Sequence, residues 1–141
     1  QQRIKHLPPS LSSHYRPFPF LGEEIGAAFS SADLCISRAG ASTLGEFPLY
    51  GLPAILVPYP YARRYQTVNA GFLVDHGAAV MVKNEALAEK LIPTISGLLE
   101  NPDRLLEMSR KMQSLYQPEA ASRIAGLLVE LAAQNSAGRK S

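Results

Sequence analysis

Between residues 32 and 69 the chain sets a short apolar run, a small-residue turn and a helix-patterned segment in immediate succession, and then begins the same order again. Residues 34–37 (LCIS) read as a strand, Arg38 and Gly40 belong to a turn, and Ser42 or Thr43 opens a helix with Glu46 one turn in. Residues 54–57 (AILV), an unbroken apolar run bounded by prolines, read as a strand covered on both faces. A third strand falls at 78–82. Strands alternating with helices call for a parallel sheet with right-handed crossovers flanked by helices, an α/β Rossmann-like fold, and such sheets bind ligands at the carboxyl ends of their strands. The turn 38–43 lies at one such end and the loop PYPYARRYQ at the next, so that the two loops could face one ligand.

The first of these turns has the chemistry of an anion site. A helix start offers unpaired backbone N–H groups and the positive end of the helix dipole, and small residues let an anion come close to them. Gly40, Ala41, Ser42 and Thr43 supply the small residues. Glu46 places a carboxylate with two acceptor oxygens just beyond.

The rest of the chain frames this unit. Residues 15–21 (YRPFPFL) are extended and aromatic, but two prolines withhold ladder donors and favour an edge strand or an irregular connection. Ile25, Ala28, Phe29 and Ala32 recur at helical spacing behind Glu23 and Glu24. The helix over 42–50 contains Pro48, which shortens it, and Gly51 closes it in a left-handed cap. A helix over 66–76 is expected to turn Val68, Phe72 and Leu73 inward and to end at Gly77. Asn84 is expected to cap a helix to about residue 99, bent at Pro93, with Leu87, Leu91, Ile95 and Leu98 on its apolar face. Asn101-Pro102-Asp103 opens another helix to about residue 115, and Pro118 a last one through Ile124, Leu127, Leu128 and Leu131. The expected division is an irregular stretch over 1–14 that marks a truncation point, one ligand-binding domain over 15–133, and a disordered tail over 134–141.

Composition removes several classes of function. A net charge of +2 with scattered Lys and Arg makes no basic stripe, so nucleic acid is not an expected partner. The single cysteine, Cys35, sits in an apolar strand, which allows neither a disulfide framework nor a cysteine metal cluster and fits a reducing compartment. No apolar run approaches the roughly 18 residues that span a bilayer, and the N-terminus does not have the pattern of a signal peptide. Membrane contact is therefore expected to be peripheral. The three histidines form no catalytic or metal-ligating spacing with other residues.

The segments SRAGASTLGE, GLPAILVPYP and YQTVNA, preceded by RPFPFLGEEIGAAFSSADL, stand in the order and spacing of the MurG family, and residues 8–131 resemble its C-terminal domain. The resemblance implies the C-terminal half of a two-domain GT-B glycosyltransferase. That enzyme moves N-acetylglucosamine from UDP-GlcNAc to lipid-linked N-acetylmuramoyl-pentapeptide in peptidoglycan synthesis, at the cytoplasmic face of the bacterial membrane, with no metal or other cofactor. It further implies that the C-terminal domain holds UDP-GlcNAc, while the N-terminal domain holds the undecaprenyl-linked acceptor and the general base. This chain alone is accordingly expected to carry no catalytic residue and to be inactive. Carried over residue by residue, the resemblance places Gly40, Ala41, Ser42 and Thr43 at the phosphates, Glu46 on both ribose hydroxyls, and Tyr65 and Gln66 on the sugar hydroxyls. The backbone at Leu21 and Gly22 would meet the uracil edge, with Arg38 and Asn69 as further contacts. The chain departs from the usual pattern at Tyr65, where Gln or His is usual, at Arg63-Arg64, and at Pro48.

Several of these residues have a purely structural alternative. Thr43-Leu44-Gly45-Glu46 also fits a capping box, in which Glu46 would only satisfy the backbone at the helix start. Arg38 could brace the turn, Gln66 and Asn69 could brace the helix after the loop, and Cys35 reads as a small buried apolar residue. Tyr59, Tyr61 and Tyr65 with Arg63 and Arg64 are either a sugar-stacking or membrane-surface patch or an ordinary exposed loop. Two other functions fit the same donor chemistry: another UDP-sugar GT-B enzyme, such as a glycolipid glucosyltransferase or a UDP-GlcNAc epimerase, and a non-catalytic sugar-nucleotide-binding subunit of a split transferase.

Overall fold

In the computed structural model, residues 8–61 and 64–138 are described, and the chain divides into two compact units, Gln1–Ser31 and Ala32–Ser141. Among the described residues the first unit holds two short helices. A single turn, α1 (Pro9–Ser12), forms inside the stretch that the sequence suggests is irregular, with proline at its start where a missing N–H costs nothing. No strand forms over 15–21, which takes the irregular connection of the two expected alternatives, in keeping with the ladder donors that its two prolines withhold. Helix α2 (Ile25–Ser30) follows, and the Glu24 carboxylate accepts from the Gly22 N–H at 3.2 Å just ahead of it. Ser31 Oγ donates to Ala27 O at the other end.

The second unit is a three-stranded parallel sheet, ordered β1 (Cys35–Ser37), β2 (Ala54–Leu56), β3 (Ala79–Met81). Cys35 pairs with Ala54, and Ala54 in turn with Ala79, so the strands run in step and all end at the same edge. Every residue of β2 is buried, as its unbroken apolar sequence requires of a central strand, and burying Ile55 and Leu56 contributes roughly 1.5–3 kcal/mol each. By contrast β1 lies at an edge, and Ile36 is 47% exposed.

Helix α3 (Thr43–Tyr50) joins β1 to β2, and α4 (Tyr65–Asp75) joins β2 to β3. Both end in the same way. Gly51 has φ 59° and Gly77 φ 70°. At α3 the Gly51 N–H donates to Pro48 O and the Leu52 N–H to Phe47 O; at α4 the Gly77 and Ala78 N–H groups meet Val74 O and Leu73 O in the same pattern. The left-handed φ favours glycine at Gly51, and a Cβ there would also crowd Ser109 Oγ at 3.3 Å, where α3 packs against the later helix α6 (Pro102–Ser114). The buried stripe of α4 keeps Leu73 of the expected inner face but not Val68 or Phe72. Ala70 and Leu73 are buried, while Val68 and Phe72 are exposed, because the helix turns Gln66 and Asn69 toward the two loops at the strand ends.

After β3 a 3₁₀ turn (Asn84–Ala86) precedes α5 (Leu87–Leu99), which includes Pro93. Asn84 does not cap this segment, contrary to the sequence expectation, because its side chain bonds elsewhere. Leu87, Leu91, Ile95 and Leu98 do form the apolar face of α5, packed with Ile55, Val57, Val82 and Met108 in one core cluster. Asn101 caps α6, its Oδ1 accepting from the Arg104 N–H at 3.1 Å. The last helix, α7 (Ala120–Gly138), begins after Pro118 and stays helical past Gln134, where disorder is expected to begin. Its alanines sustain that length, and residues 116–134 are all exposed. Among the described residues no helix is long and apolar enough to cross a membrane.

Candidate functional site

The turn that follows β1 is held by side chains that all reach for its carbonyl groups. Ser37 Oγ donates to Arg38 O at 2.9 Å, Asn69 Nδ2 to Ala39 O at 3.1 Å, and Thr43 Oγ1 to Gly40 O at 2.6 Å. Thr43 is buried, at 5% exposure, and Ala39 is fully buried, so the Thr43 and Asn69 bonds lie under the turn, while the Ser37 bond is exposed. With its carbonyls engaged, the turn shows its N–H groups outward. Among the described residues no acceptor meets the N–H of Ala41 or Ser42, both exposed, whereas the N–H groups of Thr43, Leu44, Gly45 and Glu46 already bond to Gly40, Ala41 and Ser42 carbonyls. Two donors without an acceptor among the described residues, at the positive end of α3, have the chemistry to receive an anion.

Glu46 is exposed in the first turn of α3 and has no hydrogen-bond or ion-pair partner among the described residues. The capping box is not formed. Ser42, not Thr43, stands at the cap position, no side chain caps the helix, and the Thr43 hydroxyl points back to Gly40. The Glu46 carboxylate is therefore free to accept from a ligand, and its two oxygens suit a pair of adjacent hydroxyls.

The second loop leaves β2 directly beside this turn. Arg38 Nη1 donates to Val57 O at 3.1 Å and Pro58 O at 3.4 Å, so Arg38 braces the two strand ends together, and its guanidinium lies 5.4 Å from the Tyr59 ring centroid. Gln66 Oε1 accepts from the Tyr59 N–H at 2.8 Å, which fixes the amide and leaves its Nε2 donors available. Tyr65, the first residue of α4, is 72% exposed and follows Arg64, which has φ 68° and gives no side-chain cap. Tyr59 and Tyr61 meet edge to face at 5.5 Å. Arg63, one of the unusual residues of this loop, lies outside the described residues.

The structure thus gathers Arg38, Gly40, Ala41, Ser42, Thr43, Glu46, Gln66 and Asn69 at the carboxyl ends of β1 and β2, with Tyr65 at the head of α4. It separates their roles. Asn69 and Thr43 hold the turn from beneath, Arg38 and Gln66 tie the loops, and Ala41, Ser42 and Glu46 present unused polar groups. Leu21 belongs to the first unit, where with Arg16, Phe18, Phe20 and Glu24 it lines a cavity of about 420 Å³. Cys35 keeps an apolar role, since burial raises its thiol pKa and favours the protonated form. Among the described residues no cluster of His, Cys, Asp or Glu could hold a metal ion. Sequence reasoning missed Asn84 as a partner of this site, because its bond to Arg38 spans two separate strand ends.

Comparison with known proteins points the same way. Residues 1–124 match the model of the glycosyltransferase family 28 C-terminal domain. The UDP-N-acetylglucosamine--N-acetylmuramyl-(pentapeptide) pyrophosphoryl-undecaprenol N-acetylglucosamine transferase of Roseiflexus sp. (strain RS-1) is 40% identical over 147 aligned positions, covering 91% of this chain and 33% of the relative. The enzyme of the same name from Desulforamulus reducens is 48% identical over 99 positions, 69% of this chain and 27% of the relative. The crystal structure of Acinetobacter baumannii MurG superposes with a TM-score of 0.73 at 36% identity, covering 80% of this chain and 34% of that one. The chain spans about a third of the length of these relatives.

Proposed function

This chain belongs to glycosyltransferase family 28, matching its C-terminal domain, and we propose that it is the donor-binding domain of an N-acetylglucosaminyltransferase acting on UDP-GlcNAc. The observation that carries this reading is the turn after β1, whose carbonyls are bonded within the protein, whereas its Ala41 and Ser42 N–H groups and the nearby Glu46 carboxylate have no partner among the described residues. A nucleoside diphosphate sugar supplies the complement: a diphosphate for the helix start, a ribose diol for Glu46, and sugar hydroxyls for Gln66 and Tyr65.

In the intact enzyme the acceptor is the lipid-linked N-acetylmuramoyl-pentapeptide. Its hydroxyl oxygen attacks the anomeric carbon of the donor as the bond from that carbon to the diphosphate oxygen breaks. The electron pair leaves with UDP, the configuration inverts, and the hydroxyl proton passes to a base outside this chain. What these residues contribute is stabilisation of the leaving diphosphate. Fixed N–H donors and a helix dipole act most strongly where negative charge grows, so the helix start lowers the barrier without a metal ion. A lipid acceptor places the enzyme at the cytoplasmic face of the membrane, in peripheral contact.

Titration of the chain with UDP-GlcNAc, UDP-glucose and GDP-mannose, followed by NMR, tests the reading. UDP-GlcNAc is expected to bind most tightly, and Glu46→Ala to weaken it by about tenfold or more, as for a lost hydrogen bond to a charged group. The same substitution should change folding stability by less than about 1 kcal/mol, since Glu46 has no partner among the described residues and only its interaction with the helix dipole is lost. Equal responses to all three ligands, or none, would refute the assignment.

A further inference from the structure

Asn84 does not serve the segment it begins. The 3₁₀ turn has no side-chain cap, and Asn84 Oδ1 instead accepts from Arg38 Nη1 at 2.8 Å. The same nitrogen reaches Val57 O at 3.1 Å and Pro58 O at 3.4 Å. Arg38 follows β1, Val57 and Pro58 follow β2, and Asn84 follows β3 after Val82 and Lys83. One guanidinium nitrogen therefore joins the carboxyl ends of all three strands.

We infer that Asn84 is a positioning residue of the sugar-nucleotide site, acting through Arg38; this rests on the donor-binding reading and adds a residue to it. The contacts run onward from Arg38. Its guanidinium lies over the Tyr59 ring, and the Tyr59 N–H donates to Gln66 Oε1, the amide assigned to the sugar. Arg38 also directly precedes Ala39 and Gly40, whose carbonyls Asn69 and Thr43 hold. Arg38 is exposed and long, and a free side chain of that kind samples many rotamers. An acceptor from the third strand end selects one of them. Because that acceptor is an amide oxygen, it orients the guanidinium without cancelling its positive charge beside a site for a diphosphate.

The test uses the 141-residue chain and two readouts: hydrogen exchange of the Tyr59 amide without ligand, and affinity for UDP-GlcNAc. Asn84→Ala is expected to speed Tyr59 exchange and to weaken UDP-GlcNAc roughly five- to tenfold. Asn84→Asp, which keeps an acceptor for Nη1, should return Tyr59 protection to the wild-type level. Added to Arg38→Ala, Asn84→Ala should change affinity by less than about twofold, because the two residues act as one unit. Asn101→Ala, a cap loss at α6, should lower the melting temperature and move neither readout. Wild-type exchange and affinity in Asn84→Ala would overturn the inference, as would effects of the two substitutions that multiply in full. A wild-type chain indifferent to UDP-GlcNAc would sink the donor reading and with it any donor-site role for Asn84. The link to Arg38 would still stand or fall on the exchange data.

Discussion

Helix α6 starts at Asn101, whose side-chain oxygen takes the Arg104 N–H, with Pro102 contributing no donor and Asp103 facing the dipole. Helix α3 starts behind Ser42, whose hydroxyl makes no cap hydrogen bond, and the neighbouring Thr43 hydroxyl bonds backward to Gly40 O. The first start is closed by its own sequence. The second is held rigidly but left open, with donors at Ala41 and Ser42 that nothing in the described protein accepts. A helix start that only stabilises the fold satisfies its donors locally, whereas one that receives an anion fixes its carbonyls and leaves its donors to the ligand.

Substitutions at the two starts should separate these roles. The largest effect is expected from Thr43→Val, which strips the half-buried Gly40 carbonyl of its hydroxyl partner and leaves it only the Thr43 N–H. Urea unfolding should show a loss of about 1–3 kcal/mol, and the loosened turn should lose most of its UDP affinity, with Thr43→Ser restoring both. Ala41→Pro is more selective. Ala41 is the second residue of the Gly40–Thr43 turn, a position that favours proline, and its N–H has no acceptor among the described residues. Stability should stay within about 1 kcal/mol of wild type while UDP binding weakens about tenfold, since only the ligand loses a hydrogen bond. A large drop in stability instead would mean that the Ala41 N–H serves the fold.

At the closed start the pattern should invert. Asn101→Ala is expected to cost about 1 kcal/mol of stability by urea unfolding and to leave UDP affinity untouched. The smallest effect belongs to the exposed pair Glu107–Lys111, one turn apart at 2.6 Å on α6. The hydrogen bond from Lys111, then its charge, holds the Glu107 carboxyl below the usual carboxylate range. A depressed pKa stabilises the fold above the ordinary carboxylate pKa, and that contribution is lost as pH falls through the lowered value. Lys111→Met should therefore lower the melting temperature slightly at neutral pH, and the difference from wild type should vanish in acid.

What the sequence made legible was local. Gly51 and Gly77 announced left-handed helix ends, Asn101-Pro102-Asp103 announced a capped start, and the apolar run of β2 announced a covered central strand. The turn 38–43 and the loop after β2 were legible as neighbours because each directly follows an expected strand. What stayed hidden depends on partners far away along the chain. Asn84 has the composition of a cap, and only the parallel register of the strands brings it to Arg38. The inner face of α4 was misjudged for a related reason. Hydrophobicity favours Val68 and Phe72, but the helix is rotated by what Gln66 and Asn69 must reach, leaving Ala70 and Leu73 to fill the core. Thr43 likewise fits either a cap or a brace, and the choice is made by where the Gly40 carbonyl sits.

The most direct measurement is the response of individual backbone amides to UDP, followed by NMR on the 141-residue chain. The account predicts large downfield shifts at Ala41 and Ser42, as their free N–H groups take up phosphate oxygens, with Arg104 and its neighbours at the start of α6 unmoved. Silent amides at Ala41 and Ser42, or shifts of equal size at both helix starts, would contradict it.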